Sequence, residues 1–157
     1  MENELVKVET SETERTATWG SSELGSLANR PRTILLVEDE SFVRDVMDEV
    51  LQSVGYRVLK MQSAEEALEF YKHCSEEWDL LLTDVVMPGR NGRDLARELR
   101  KQCPTMKTIF MSGYGESVAL LGAERAANVF YLSKPFSVPG LLRKVDEVFS
   151  SCQPPAL

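Results

Sequence analysis

The chain has 157 residues, 43% of them apolar and 27% charged, enough for one ordinary domain with a buried core and too few for two of normal size. No basic stripe offsets its formal net charge of -7, which argues against DNA or another polyanion as a partner. No run approaches the roughly 18 apolar residues of a membrane span, and the opening MENELVKVETSETERT lacks the basic start and apolar stretch of a secretory signal. Cys74, Cys103 and Cys152 lie far apart, outside any CxxC pair, and with one histidine in the chain they give no reason to expect a zinc site. A soluble, cytoplasmic protein is expected.

Residues 1–30 set Glu2, Glu4, Glu9, Glu12, Glu14 and Glu23 against Lys7, Arg15 and Arg30, among many Ser and Thr. Lacking apolar periodicity, this stretch is expected to be a flexible acidic tail, because it cannot offset the entropy of ordering itself. A short docking helix around Trp19, Leu24 and Leu27 is the alternative. Pro31 marks the boundary of a domain expected over 31–152, and residues 153–157 read as a disordered end.

Within that domain short apolar runs alternate with helical patterns. Ile34-Leu35-Leu36-Val37 fits a buried strand. A stripe of Phe42, Val43, Val46, Met47, Val50, Leu51 and Val54 follows, expected on one face of a helix capped by Ser41 and ended by Gly55. Residues 56–61 alternate as in a half-exposed strand, and Ser63-Ala64-Glu65-Glu66 reads as a capping box opening a second helix. Leu80-Leu81-Leu82 is the third strand. Asn91 caps a third helix carrying Leu95 and Leu99 to a stop near Pro104. Ile109-Phe110-Met111 is the fourth strand, and a fourth helix is expected around 116–127, interrupted by Gly122. Val129-Phe130-Tyr131-Leu132 is the fifth strand. Ser137 opens the fifth helix, with Leu141, Leu142, Val145, Val148 and Phe149 inward. Five strands alternating with five helices imply an α/β fold, a doubly wound parallel sheet with right-handed crossovers.

In such sheets the functional crevice lies beyond the carboxyl ends of the strands. Those ends carry Glu38-Asp39-Glu40, Thr83-Asp84, Ser112-Gly113 and Ser133-Lys134-Pro135. Each alone also suits a solvated turn, but the topology collects them at one edge. Carboxylates at close range repel one another, and a hard divalent cation relieves the repulsion. Oxygen ligands without sulfur or imidazole point to Mg²⁺, with Mn²⁺ as a substitute. One carboxylate can then act as nucleophile toward phosphorus, with Lys134 and Ser112 sharing the phosphoryl oxygens.

The stretches ILLVEDE, LLLTDVVMPGRNG, FMSGYG and YLSKPF resemble the receiver domain of bacterial two-component response regulators, over about residues 32–150. The resemblance implies the five-stranded (βα)5 flavodoxin-like, CheY-like fold and a phosphorylation switch. It makes Asp84 the phosphoacceptor. It assigns Mg²⁺ to Glu38, Asp39, Asp84 and the backbone carbonyl of Val86. The longer side chain of Glu38, where aspartate is also frequent, leaves open whether it ligates directly. Ser112 and Lys134 are implied as phosphoryl contacts, Tyr131 as the aromatic switch, or else a cover for the core, and the Lys134-Pro135 bond as cis. Val86 and Tyr114 fall where the phosphoryl lifetime is tuned. Neither bears a carboxylate or amide to position water, so slow autohydrolysis is expected.

The motifs are similar to receivers attached to hybrid sensor kinases more than to the chemotaxis type. A sensor or hybrid histidine kinase, or a phosphotransfer protein, is the implied donor. The downstream protein is expected on the face of the fourth helix, fifth strand and fifth helix, where Val118, Leu120 and Leu121 are candidates for an exposed apolar patch. No output domain is expected after Phe149, and no nucleic acid or membrane; a monomer or weak dimer fits. The chain is expected to assist its own phosphorylation without acting as an enzyme on a separate substrate. A haloacid-dehalogenase-like phosphatase wants a second aspartate where Val86 stands, GxGxxG is missing after the first strand, and His73 ends a helix far from any kinase motif. The remaining alternative is a phosphorylation-independent adaptor of the same fold.

Overall fold

The computed structural model describes residues 30–113 and 127–151. The acidic N-terminal segment with Trp19, Leu24 and Leu27, the expected fourth helix with Val118, Leu120 and Leu121, Tyr114, and residues 153–157 lie outside the described residues. The chain divides into Met1–Pro31 and Arg32–Leu157, and every element below belongs to the second unit. In order these are β1 (Thr33–Val37), α1 (Ser41–Ser53), β2 (Arg57–Met61), α2 (Ala64–His73), β3 (Leu80–Asp84), α3 (Gly92–Gln102), β4 (Lys107–Ser112), β5 (Val129–Ser133) and α4 (Val138–Ser150). The helix expected fifth is thus α4 here.

The strands form one sheet in the order β2-β1-β3-β4-β5, and every neighbouring pair is parallel. Parallel neighbours cannot be joined by hairpins, so each connection crosses a face of the sheet. Successive side chains of a strand point to opposite faces, which is why the central strands read as unbroken apolar runs. Leu35, Val37, Leu81 and Phe110 form one core cluster with Ala67 and Leu95 from α2 and α3. Ile34, Leu36, Leu82 and Ile109 form the other with Leu51 of α1 and Val145 of α4. This strand order is the doubly wound, flavodoxin-like one that the resemblance implies. Fully burying each Leu or Ile contributes about 1.5–3 kcal/mol, so the two clusters together supply most of the driving force.

Local signals hold with two corrections. Ser41 is not the cap of α1: Glu40 is, with no side-chain cap bond, and the first helical bond runs from the Arg44 N–H to the Glu40 carbonyl at 2.9 Å. At the other end the Gly55 N–H donates to Gln52 and the Tyr56 N–H to Leu51, a Schellman close that the φ of 98° at Gly55 permits. The capping box of α2 is shifted by one residue. Ser63 Oγ accepts the Glu66 N–H at 3.1 Å, but the Glu66 carboxylate takes the N–H of Gln62, at 2.7 Å, and not that of Ser63. The sheet covers only part of the apolar stripe of α1. Met47 and Leu51 are buried, whereas Phe42 is 74%, Val54 52% and Val46 39% exposed. Asn91 and Ser137 cap α3 and α4 as expected.

Candidate functional site

Successive connections leave β1 toward β2 on one side and reach β3 on the other, so the sheet order reverses between β1 and β3. Loops diverging at such a point open a crevice at the carboxyl ends of the strands. Asp84 closes β3 there, and Glu38 and Asp39 follow β1 directly. One carboxylate oxygen from each of Glu38, Asp39 and Asp84 lies within 4.8 Å of the others. Glu38 is 1% and Asp84 7% exposed, while Asp39 is open to solvent.

Lys134 completes the cluster from the end of β5. Its Nζ donates to Asp84 Oδ2 at 2.7 Å and to Glu38 Oε2 at 3.1 Å. Its backbone N–H donates to the Ser112 carbonyl at 2.7 Å, joining the ends of β4 and β5, and the Lys134-Pro135 bond is cis. Ser112 is buried at the end of β4. Burial pushes the Asp84 carboxyl up to about 7; the Lys134 hydrogen bond opposes this and the Glu38 charge adds to it. Burial pulls Lys134 down, but its bonds to Asp84 and Glu38 outweigh that and raise it. The site concentrates more negative charge than one ammonium neutralises.

That donor set fits a hard divalent cation: three carboxylates, two of them buried and Asp84 held back from ionising, with neither sulfur nor imidazole. The three are not equivalent. Glu38 Oε1 already accepts the Glu40 N–H at 3.2 Å and Oε2 accepts from Lys134. Asp39, by contrast, is exposed. Val86 lies in the loop leaving β3 with its side chain 60% exposed. The Tyr131 ring packs against Phe110 with centroids 5.9 Å apart.

Two residues that sequence reasoning missed support the site. Arg44 of α1 donates from Nη1 to the Glu38 carbonyl at 2.7 Å, holding the turn that carries the acidic pair. Gly92, the first residue of α3, donates its N–H to the Val85 carbonyl at 2.9 Å. A β-carbon at Gly92 would overlap the Asp84 carbonyl oxygen, so the start of α3 can abut the end of β3 only without a side chain. The glycine after the capping Asn91 was the available signal. Beside the cluster runs an apolar groove of about 480 Å³, lined by Phe42, Val46 and Val138 and reaching Glu40 and Lys134.

A family profile described as response regulator receiver domain matches residues 34–146. Sensor kinase CckA of Brucella abortus is 44% identical over 116 residues, which are 74% of this chain and 12% of CckA. The response regulator receiver protein CpdR of the same organism is 30% identical, over 74% of this chain and 96% of CpdR. Among solved structures, a CheY-like receiver domain protein from Methanospirillum hungatei superposes with a TM-score of 0.66 at 31% identity, covering 77% of this chain and 95% of that one.

Proposed function

Because the chain belongs to the response regulator receiver family, we propose that Asp84 is its phosphoacceptor and that phosphorylation there is its signal. One observation carries this: a buried carboxylate at the sheet's switch point, 2.7 Å from an ammonium and within 4.8 Å of two further carboxylates. Asp39 and Asp84, with the Val86 carbonyl, hold Mg²⁺ or Mn²⁺, and Glu38 adds its charge while keeping Lys134 in place. Bound Mg²⁺ supplies positive charge to the phosphoryl oxygens. An Asp84 oxygen attacks phosphorus, the bond from phosphorus to the donor imidazole breaks, and the imidazole nitrogen leaves with the electron pair and takes up a proton. Lys134 and Ser112 then meet the phosphoryl oxygens. Autohydrolysis is slow, since neither Val86 nor Tyr114 orients a water; Val86→Asn or Tyr114→Ala leaving the dephosphorylation rate unchanged would overturn this.

The movement of Ser112 toward the phosphoryl group makes room for Tyr131 to turn inward, altering the surface of β5, α4 and residues 116–127. Moving such a switch from 1:99 to 99:1 requires about 5.5 kcal/mol of preference for the active form. The donor is a histidine kinase or phosphotransfer protein, and the match to CckA supports a hybrid-kinase source. Its phosphohistidine must reach Asp84, and the apolar groove shares Lys134 with the site. We therefore assign the groove, with exposed Phe42, to the helical face that presents that histidine. Among the described residues no helix is long and apolar enough to cross a membrane.

Intact mass after exposure to a small phosphodonor, with and without Mg²⁺, tests the reading. One added phosphoryl group that requires both Mg²⁺ and Asp84, absent in Asp84→Asn, is the expected result. A folded wild type that takes up neither phosphoryl nor Mg²⁺ would overturn it in favour of an adaptor.

A further inference from the structure

Two acidic residues open α2 with different partners. Glu66 serves the helix end, as described above. Glu65 reaches out of its helix: Oε1 accepts the backbone N–H of Arg90 at 2.8 Å, across 25 positions of sequence. That N–H is the foremost influence holding the Glu65 carboxyl below the usual carboxylate range.

Arg90 belongs to the loop that leaves the sheet at Asp84 and enters α3 at Gly92. Both ends of this loop are fixed. The Val85 N–H donates to Met111 at 3.0 Å, the Gly92 N–H returns to Val85 at 2.9 Å, and the Met87 side chain is buried in the core. Between them Pro88, Gly89 and Arg90 are exposed, and Gly89 takes a φ of 78°. The bond to Glu65 ties this tip to another element. The approach is close, since a β-carbon on Gly89 would lie 2.8 Å from Glu65 Oε1.

We propose that Glu65 is a positioning residue for metal binding: its carboxylate clamps the loop tip at 88–90 and thereby fixes the backbone of Val86, whose carbonyl is assigned to Mg²⁺. The proposal rests on the functional reading above. A carbonyl ligand has no side-chain torsion to adjust, so its direction depends wholly on the backbone that carries it. If releasing the tip leaves about one conformer in ten with that carbonyl in place, apparent Mg²⁺ affinity falls tenfold. Partners that orient metal ligands from outside typically affect affinity by about 10–100-fold. The exposure of this bond places it at the lower end.

Mg²⁺ alone is the probe, titrated calorimetrically into wild type, Glu65→Ala and Glu65→Gln, with amide exchange of Arg90 followed in the metal-free proteins. Glutamine keeps an acceptor oxygen and alanine does not. The expected result is about tenfold weaker binding and faster Arg90 exchange in Glu65→Ala, with both largely restored in Glu65→Gln. Mg²⁺ affinity in folded Glu65→Ala within twofold of wild type overturns the clamp. Equal losses in Glu65→Ala and Glu65→Gln also overturn it, since the acceptor would not then be the cause. A wild type that takes up no Mg²⁺ overturns the metal reading itself, an outcome distinct from both.

Discussion

Replacing Asp84 by asparagine is expected to stabilise the metal-free protein, and to do so chiefly at higher pH. Burial, with the Glu38 charge adding, pushes the Asp84 carboxyl from 3.8 up to about 7 against the pull of Lys134. A group whose folded-state pKa is raised favours folding fully below its unfolded value, and that contribution is lost as pH rises through the folded value. The window for Asp84 therefore runs from pH 3.8 to about 7. A rise of roughly three units corresponds to about 4 kcal/mol. About half, roughly 2 kcal/mol, is expected to appear as net gain, because the open side of the crevice lets solvent screen the charge. In a domain of this size that raises the melting temperature by roughly 6–10 °C. Thermal unfolding of both proteins in EDTA at pH 8 and pH 4.5 measures it. The gap should be full at pH 8 and reduced to about a quarter at pH 4.5. A variant less stable at pH 8, or a gap of equal size at both, would refute the argument that Asp84 carries a disfavoured buried charge. Adding Mg²⁺ at pH 8 should narrow the gap from the wild-type side, since ligand binding stabilises the form that binds it.

Lys134→Met should lower metal-free stability at pH 8 by about 3 kcal/mol, because Glu38 and Asp84 are left buried without their ammonium; an unchanged urea midpoint would refute this. Mg²⁺ affinity should fall about tenfold between pH 8 and pH 6, since a proton on Asp84 competes with the ion, and a pH-independent calorimetric titration would exclude Asp84 as a ligand. Gly92→Ala should destabilise by about 2–3 kcal/mol, as the added methyl group drives α3 from the Asp84 carbonyl, which denaturant unfolding will show. Phe42→Ala should alter stability by no more than about 0.5 kcal/mol and leave phosphorylation by a small donor unchanged. Transfer from the partner kinase should slow about tenfold, equivalent to about 1.4 kcal/mol at a docking anchor, and equal kinase rates would remove the groove from the interface.

The site was legible because its residues stand at strand ends, where sequence position translates directly into place. Once the apolar runs are counted as parallel strands, Glu38, Asp39, Asp84, Ser112 and Lys134 must arrive at one edge, with no knowledge of side-chain packing. The faces of α1 were not legible in the same way. Periodicity shows that Phe42 and Val46 share a broad apolar stripe with Met47 and Leu51. It does not show how much of that stripe the sheet covers. Here Phe42 and Val46 border a second apolar surface with Val138 of α4, an element almost a hundred positions away. Arg44 and Gly92 escaped for the same reason, because their partners are backbone atoms set by tertiary geometry. The shifted bond of Glu66 shows the limit of a local motif: the spacing identified the helix start, but the packing of the preceding turn chose which N–H the carboxylate reached.

The arrangement of charge explains why such a site can act as a switch on the proposed function. Three ionised carboxylates facing one ammonium leave two excess negative charges, matched by one divalent cation. Transfer converts the Asp84 carboxylate into an acyl phosphate, whose phosphoryl oxygens carry about two negative charges where the free carboxylate carried one. The occupied site therefore gains about one negative charge, together with oxygens that project beyond the original carboxylate. Lys134 already lies at 2.7 Å and has little closer to come. Further stabilisation must come from another donor, and the buried Ser112 at the end of the adjacent strand brings a hydroxyl to the same edge of the sheet. Because β4 pairs with β5 in register from Thr108 and Val129 to Ser112 and Ser133, a displacement of Ser112 bears on the strand that holds Tyr131. The excess charge created at Asp84 thus has a short mechanical route to the outer edge of the sheet.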